Sequence, residues 1–280
     1  YATGKYCYFL DSDDYIESDT IEMCIKLMIQ NNAQLIAFNK DTIDENGNII
    51  STGRVSDHKY EIHSEEERMA FYLKNYYAYE ICFEMWNKFY DLSIIQRHKL
   101  RFENNYKVFA EDICFNSYYL LYADTIVSTK KTLYHYLVRE DSIMGQEKKK
   151  VKFKNFLYLL SKVEDFFKTN ASDYMSKHFY MIVPVVMQFA YKRYKFYELP
   201  ALLKQTQPSE EYDYYQKKLQ EVLIHANETV EFYHRYLEDG YQKPDRMMRN
   251  TKMLSLQDHP LRQKIYILFS LISSVVRKKI

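Results

Sequence analysis

Along the 280-residue chain the apolar positions first come in short runs and later settle into a helical period. Tyr6 to Leu10 (YCYFL) is a continuous apolar run, the pattern of a buried strand in a parallel sheet. Asp11-Ser12-Asp13-Asp14 follows it directly. Ser18-Asp19-Thr20 then opens a helix, with Asp19 and Glu22 at capping-box spacing and Ile21, Cys24, Ile25 and Met28 on one apolar face. Gln34 to Asn39 predicts a strand, and Asp44-Glu45-Asn46-Gly47-Asn48 a turn, since Asn-Gly is the strongest short hairpin signal. Ser64 and Glu67 form a second capping box, for a helix through about Asn75. Residues 84–124 read as short helices and loops, with Ala110-Glu111-Asp112 opening the helix ICFNSYYLLYA. Ile126 to Ser128 and Leu133 to Val138 predict two further strands.

From Lys148 the strand signals stop. Phe153, Phe156, Leu157, Leu160, Val163 and Phe167 form one helix face, and Pro184 is expected to kink or divide the next helix. A boundary near residue 147 therefore separates an α/β unit, residues 1–147, from an all-helical unit, residues 148–280. Asp258-His259-Pro260 begins a last helix over 259–280, in which Leu261, Ile265, Leu268, Ile272 and Val275 share a face. Arg262, Lys264, Arg277, Lys278 and Lys279 flank it, so it is either an interfacial membrane helix or a helix docked on its own domain. A buried strand needs neighbours on both sides, and few residues precede Tyr6. We therefore expect the chain to be a piece of a longer protein.

Composition narrows the function classes. Five glycines, and no GxGxxG or GxxxxGK[ST] string, argue against a Gly-rich phosphate loop. Lys+Arg at 39 against Asp+Glu at 38 leaves a net charge of +1, which disfavours nucleic acid as a partner. Cys7, Cys24, Cys82 and Cys114 are widely spaced and form no CxxC pair, as suits a reducing compartment. The opening residues lack a signal-peptide h-region, and no run reaches the roughly 18 apolar residues of a span. The expected location is the cytoplasm.

Four segments carry candidate chemistry. Three carboxylates within Asp11-Ser12-Asp13-Asp14 repel one another, so they suit a hard cation such as Mg²⁺ or Mn²⁺; the alternative is a solvated acidic loop that caps the next helix. Glu111-Asp112 at a helix start is either an N-cap, with its pKa held low by the helix dipole, or the source of a general base. His135, on a strand face with Leu133 and Leu137, is a candidate metal ligand, and Arg139 a candidate diphosphate partner. Trp86, the only tryptophan, offers a ring for stacking on a sugar or for packing. The other histidines form no metal-spaced cluster.

In this order, ATGKYCYFLDSDDYI, WNKFY, EDICF and YHYLVREDSIM, the four segments resemble family 2 glycosyltransferases of the GT-A fold over about residues 1–145. The resemblance implies a GT-A-like mixed sheet with helices. It implies that Asp11 sits near the nucleotide ribose and Asp13 binds the metal. Asp112 would be the catalytic base with Glu111 beside it on the acceptor side, and Trp86 and Lys88 would line the acceptor. His135 would help bind metal or diphosphate, and Arg139 with Ser142 would line the diphosphate. The implied reaction is inverting, metal-dependent transfer from a nucleotide-sugar, a UDP-sugar foremost, to a surface polysaccharide or lipid-linked acceptor at the inner face of the membrane. The family's usual first strand and its DDGS-like segment are not found ahead of YCYFL. Two other readings remain open: a non-catalytic acceptor- or partner-binding module, and a metal-dependent phosphohydrolase.

Overall fold

The computed structural model of the chain describes residues 2–104, 108, 111–139, 153–187, 209–237 and 251–252. Two long strands form the spine of its mixed sheet. β3 (Leu35–Ile43) reads LIAFNKDTI and is buried at seven of its nine positions. β7 (Thr125–Leu137) runs parallel to it, from Leu35 opposite Ile126 to Ile43 opposite Leu137. The pairing shifts between Phe38 and Asn39, whose partners are Thr129 and Thr132, so Lys130 and Lys131 bulge out. That bulge is why the sequence reads as two strands where there is one.

The strand order is β1 (Tyr6–Tyr8), β6 (Lys88–Asp91), β3, β7 and β2 (Tyr15–Ile16); every described pairing except β3–β7 is antiparallel. β4 (Ile49–Thr52) adds to the far half of β3, and β5 (His58–Glu61) to the near half of β7. β1 is thus neither parallel nor fully buried, contrary to its apolar pattern. Its rings explain the pattern by serving both faces: Tyr6 and Tyr8 pack on Phe89, while Cys7 and Phe9 join the core on the other side. β6 is a strand inside a region that reads as helix and loop.

Local signals fared unevenly. The Asn46-Gly47 hairpin forms with Gly47 at φ 81°, and the Asp44 carboxylate accepts the Asn46 and Asn48 N–H groups. The Ser64–Glu67 box also forms: Ser64 Oγ accepts the Glu67 N–H at 3.1 Å and Glu67 Oε2 the His63 N–H at 2.7 Å. The box expected from Asp19 does not. α1 (Thr20–Asn31) has Asp19 at its N-cap without a side-chain cap bond, and Thr20 Oγ1 ties its first turn to the Leu133 carbonyl of β7. This rotates the buried stripe to Thr20, Cys24 and Met28 and leaves Ile21 exposed.

α2 (Glu65–Phe71) widens into a π turn over Tyr72–Tyr76. The wider turn brings three tyrosines against α4 (Glu111–Leu120). Tyr76 donates to the Ile113 carbonyl, Tyr72 to the Ser117 carbonyl, and Tyr77 shares a hydrogen bond with Ser117 Oγ. α3 (Leu92–Arg97) follows β6 directly, with Asp91 as its N-cap.

The helical half rests on this scaffold. α5 (Phe153–Asn170) buries all six of the residues predicted for its face. Phe166 stacks on Tyr118 of α4 at 4.0 Å and Phe167 meets Tyr72 edge-on at 5.3 Å, so one core cluster extends from Leu35 to Tyr233. α6 (Asp173–Lys177), α7 (Glu210–Ile224) and α8 (Ala226–Leu237) complete the described helices named here. Pro184 lies early in the helical stretch 182–187, so the division falls upstream, in the 3₁₀ turn Phe179–Met181. The boundary near 147, Ser142 and the helix over 259–280 lie outside the described residues. Among the described residues no helix is long and apolar enough to cross a membrane.

Candidate active site

Where β1 ends, the chain turns back at once, with the Asp14 N–H reaching the Asp11 carbonyl, and enters β2 beside the end of β7. The turn gives its three carboxylates different roles. Asp14 is structural: Oδ2 accepts from the Tyr134 hydroxyl at 2.5 Å and Oδ1 from the Leu137 N–H at 2.8 Å. Asp13 points outward into an ion pair with Arg139, Nη2 to Oδ2 2.6 Å, both side chains about two-fifths exposed. Asp11 faces its own kind. Partial withdrawal from water, then the charges of Asp14, Asp13 and Glu111, lift its pKa above the usual carboxylate range.

Phe115 of α4 meets Phe9 edge-on at 5.9 Å, so the start of α4 lies near this turn and the Glu111 charge bears on Asp11. Beside Glu111, the Asp112 pKa is raised to about 7, by desolvation first and then by Glu111, with Glu84 adding to the rise. The low pKa expected from the helix dipole is therefore overturned: loss of water outweighs the dipole here. The Met85 N–H donates to Asp112 Oδ2 at 3.3 Å and opposes the shift, as does Lys88. A carboxyl with a pKa near neutrality, still partly open to solvent, suits a general base.

Two residues expected on the acceptor side are buried. Lys88 is fully buried, and its ammonium donates to the Cys82 and Glu84 carbonyls and to Asn87 Oδ1, which occupies it in holding the loop before β6. Desolvation lowers its pKa to about 8. Trp86 is 7% exposed, stacked on Tyr134 at 4.3 Å and on Tyr136 at 5.7 Å, with the Lys40 ammonium 4.5 Å from its ring centre. Its ring is packing for the strand that holds Asp14, so it has no face for a sugar.

His135 stands next to the turn, stacked on Tyr15 at 4.5 Å, with Nε2 2.7 Å from Glu17 Oε1. Among the described residues no three His, Cys, Asp or Glu side chains converge as a ready-made cage. Asp13 and Asp11 offer hard carboxylate oxygens, which fit an ion of the magnesium type that keeps water and phosphate oxygens for most of its shell. They do not fit a four-ligand structural metal.

Three residues of the site, Lys40, Glu84 and Phe102, escaped the sequence, and Asp14 was read there only as part of the acidic cluster. Asp14 had a signal, as the last carboxylate before β2. Lys40 and Glu84, an ion pair of 2.6 Å between β3 and the loop before β6, had none. Phe102 is 45% exposed, stacked on Phe115 at 4.5 Å and edge-on to Phe9. Since Phe115 lies one turn beyond Asp112 and Phe9 two residues before Asp11, Phe102 offers an aromatic surface at the mouth of the site.

Residues 1–92 match the family model described as Glycosyl transferase family 2. Over that first third of its length the chain is similar to that family. EpsH of Bacillus subtilis (strain 168), a protein whose name proposes a glycosyltransferase, is 27% identical over 151 residues, 54% of this chain and 42% of EpsH. The matched part thus spans less than half the length of that relative. TarS of S. aureus (residues 1–349), in a complex with UDP-GlcNAc, superimposes with a TM-score of 0.55 at 17% identity, covering 99% of this chain and 69% of TarS. Its UDP complex gives 0.51 at 15% identity, covering 91% and 66%. At these identities the likeness carries the fold, and the mixed sheet with its helical C-terminal part is GT-A-like.

Proposed function

We propose that the chain transfers a sugar from a nucleoside diphosphate sugar to an acceptor hydroxyl, with inversion at the anomeric carbon. The observation that carries this is the Asp112 carboxyl, desolvated and met by the Met85 N–H, with a pKa of about 7, beside Glu111, whose charge bears on Asp11 as well. As general base, Asp112 would take the proton of the attacking hydroxyl while the acceptor oxygen bonds to the anomeric carbon and the bond to the diphosphate breaks. The base lies on the acceptor side, and no second carboxylate is assigned as a nucleophile, so a single displacement inverts.

Asp13 and Arg139 would part when donor arrives, Arg139 turning to the diphosphate and Asp13, with Asp11 near the ribose, to a divalent cation. Bound Mg²⁺ or Mn²⁺ supplies neutralisation of charge on the leaving diphosphate. His135 and Ser142 are proposed to extend the diphosphate side, and Glu111 the acceptor side. The TarS complexes with UDP-GlcNAc and UDP support a uridine diphosphate donor. A surface glycan or a lipid-linked sugar is the proposed acceptor, laid on Phe102, with segment 259–280 making peripheral contact with the membrane's inner face.

The test is calorimetric titration with UDP and Mn²⁺. Saturable binding that needs the metal and is lost in Asp13→Ala supports the reading. Binding unchanged in Asp13→Ala sinks the metal assignment. No binding by the folded chain favours a partner-binding module, and release of free sugar without acceptor favours a phosphohydrolase.

A further inference from the structure

The segment 79–88 is held more firmly than packing alone requires. Tyr79 and Cys82 both have positive φ, 70° and 63°, a left-handed conformation that costs non-glycine residues free energy and persists only where surrounding contacts enforce it. Those contacts converge on Glu84. Its Oε1 accepts from Lys40 Nζ at 2.6 Å and from the Tyr79 hydroxyl, and its Oε2 accepts the Phe83 N–H at 3.0 Å. From beneath, Lys88 Nζ donates to the Glu84 carbonyl at 2.7 Å. From α4, Asn116 Nδ2 donates to the Phe83 carbonyl at 2.7 Å, with the amide itself oriented by the Tyr90 hydroxyl at 2.8 Å. The next residue after Glu84 is Met85, whose N–H meets Asp112 Oδ2.

We propose that Glu84, gripped by Lys40 and Tyr79, is a positioning residue for Asp112: it sets the 83–85 backbone so that the Met85 N–H occupies one carboxylate oxygen and leaves the other for the acceptor hydroxyl. The proposal rests on the reading of Asp112 as base. Asp112 and Asn116 are one turn apart on α4, so the helix and the segment grip each other at two successive carbonyl or amide groups, Phe83 and Met85. Lys40 carries the constraint on to β3, with its ammonium also lying over the Trp86 ring. The charged groups that face Asp112 are Glu111 on its own helix, Glu84 from the segment and Lys88 from β6. Two of them also hold the Asp112 hydrogen-bond donor: Lys88 through the Glu84 carbonyl, and Glu84 through its own side chain, which ties the Phe83 N–H, Lys40 and Tyr79 together. The Glu84 pKa stays low, since Lys40, Tyr79 and Lys88 outweigh desolvation, so it keeps its charge while Asp112 titrates.

The experiment is an NMR titration of the whole chain, labelled with ¹⁵N-methionine and carboxyl-¹³C aspartate. In the wild type the Met85 amide is expected to move with the Asp112 carboxyl, with one midpoint near 7. Glu84→Gln and Lys40→Met are expected to shrink the Met85 response several-fold while the other methionine amides hold their positions; Lys40→Arg is expected to restore it. A Met85 amide that still follows Asp112 in full in folded Glu84→Gln and Lys40→Met overturns the proposal. Should Lys40→Met lose its folded spectrum, Tyr79→Phe replaces it: a partial loss of the response supports the proposal and a full response counts against it. The readout needs no substrate. A chain that transfers no sugar would defeat the proposed function with this coupling intact, whereas an uncoupled Met85 would defeat the coupling alone.

Discussion

Asp112 sits where two effects oppose each other, and the outcome decides its chemistry. The N-terminus of α4 favours the ionised carboxylate, yet desolvation and the neighbouring Glu111 and Glu84 charges favour the acid, and they win. Transfer should therefore rise with pH through about 7 as a single ionisation. A flat profile across that range would take the base role away from Asp112. Asp112→Asn should keep nucleotide binding and lose roughly 10²–10⁴-fold in transfer rate, measured at saturating donor; a mild loss moves the role elsewhere. Linkage gives a second test. The folded-state pKa of about 7 lies above the ordinary 3.8, so the native chain holds this proton more tightly than the unfolded chain does. The resulting stability is complete below 3.8 and is lost as pH rises through 7. Asp112→Asn escapes that loss, so its urea midpoint should exceed the wild type's at pH 8, by on the order of 1–3 kcal/mol, and match it near pH 4. An equal effect at both pH values would mean that the carboxyl is not destabilised by burial.

The elements around the site were legible to different degrees, for reasons that lie in what each residue touches. A cap or tight turn is made by residues adjacent in sequence, so Ser64–Glu67 and Asn46-Gly47 could be read directly. Contacts across the sheet could not. The Thr20 hydroxyl reaches Leu133, 113 residues away, and the Trp86 ring stacks on Tyr134. The four motif segments were found because each keeps its chemistry on adjacent residues; Lys40 and Glu84 were missed because they are 44 residues apart. Arg68 is another long-range case. Buried at 8% exposure, it donates to the Leu120 and Ala123 carbonyls at the C-terminus of α4 and pairs with Asp124. Arg68→Met should leave those carbonyls unpaired and cost on the order of 2–3 kcal/mol, read as a lower urea midpoint. An unchanged midpoint would deny Arg68 its role at that helix end. The buried Trp86 makes a further check: the chain's only tryptophan should resist acrylamide quenching and stay blind to added free sugars. Quenching that matches an exposed indole would return Trp86 to the surface.

At the scale of the whole molecule, the sequence suggests two units, and the larger of the two described core clusters runs through both. The face of α5 does not close on helices alone: Phe166 lies on Tyr118 and Phe167 on Tyr72, the very residues that brace α4 and the π turn behind Asp112. Arg235 of α8 reaches back to Glu66 of α2, and Ser172 to Glu65. Removing residues 148–280 would uncover large side chains such as Tyr72 and Tyr118, buried in the intact chain. Exposed apolar surface of that extent drives local collapse and aggregation rather than independent folding. The whole chain should therefore unfold in one cooperative transition, with near-ultraviolet and far-ultraviolet circular dichroism coinciding. Residues 1–147 alone should bind a hydrophobic dye and melt without a cooperative step. If that piece instead melts cooperatively, the helical half is a separable unit, and the bracing of Asp112 must come from the π-turn tyrosines and the Glu84 contacts without it.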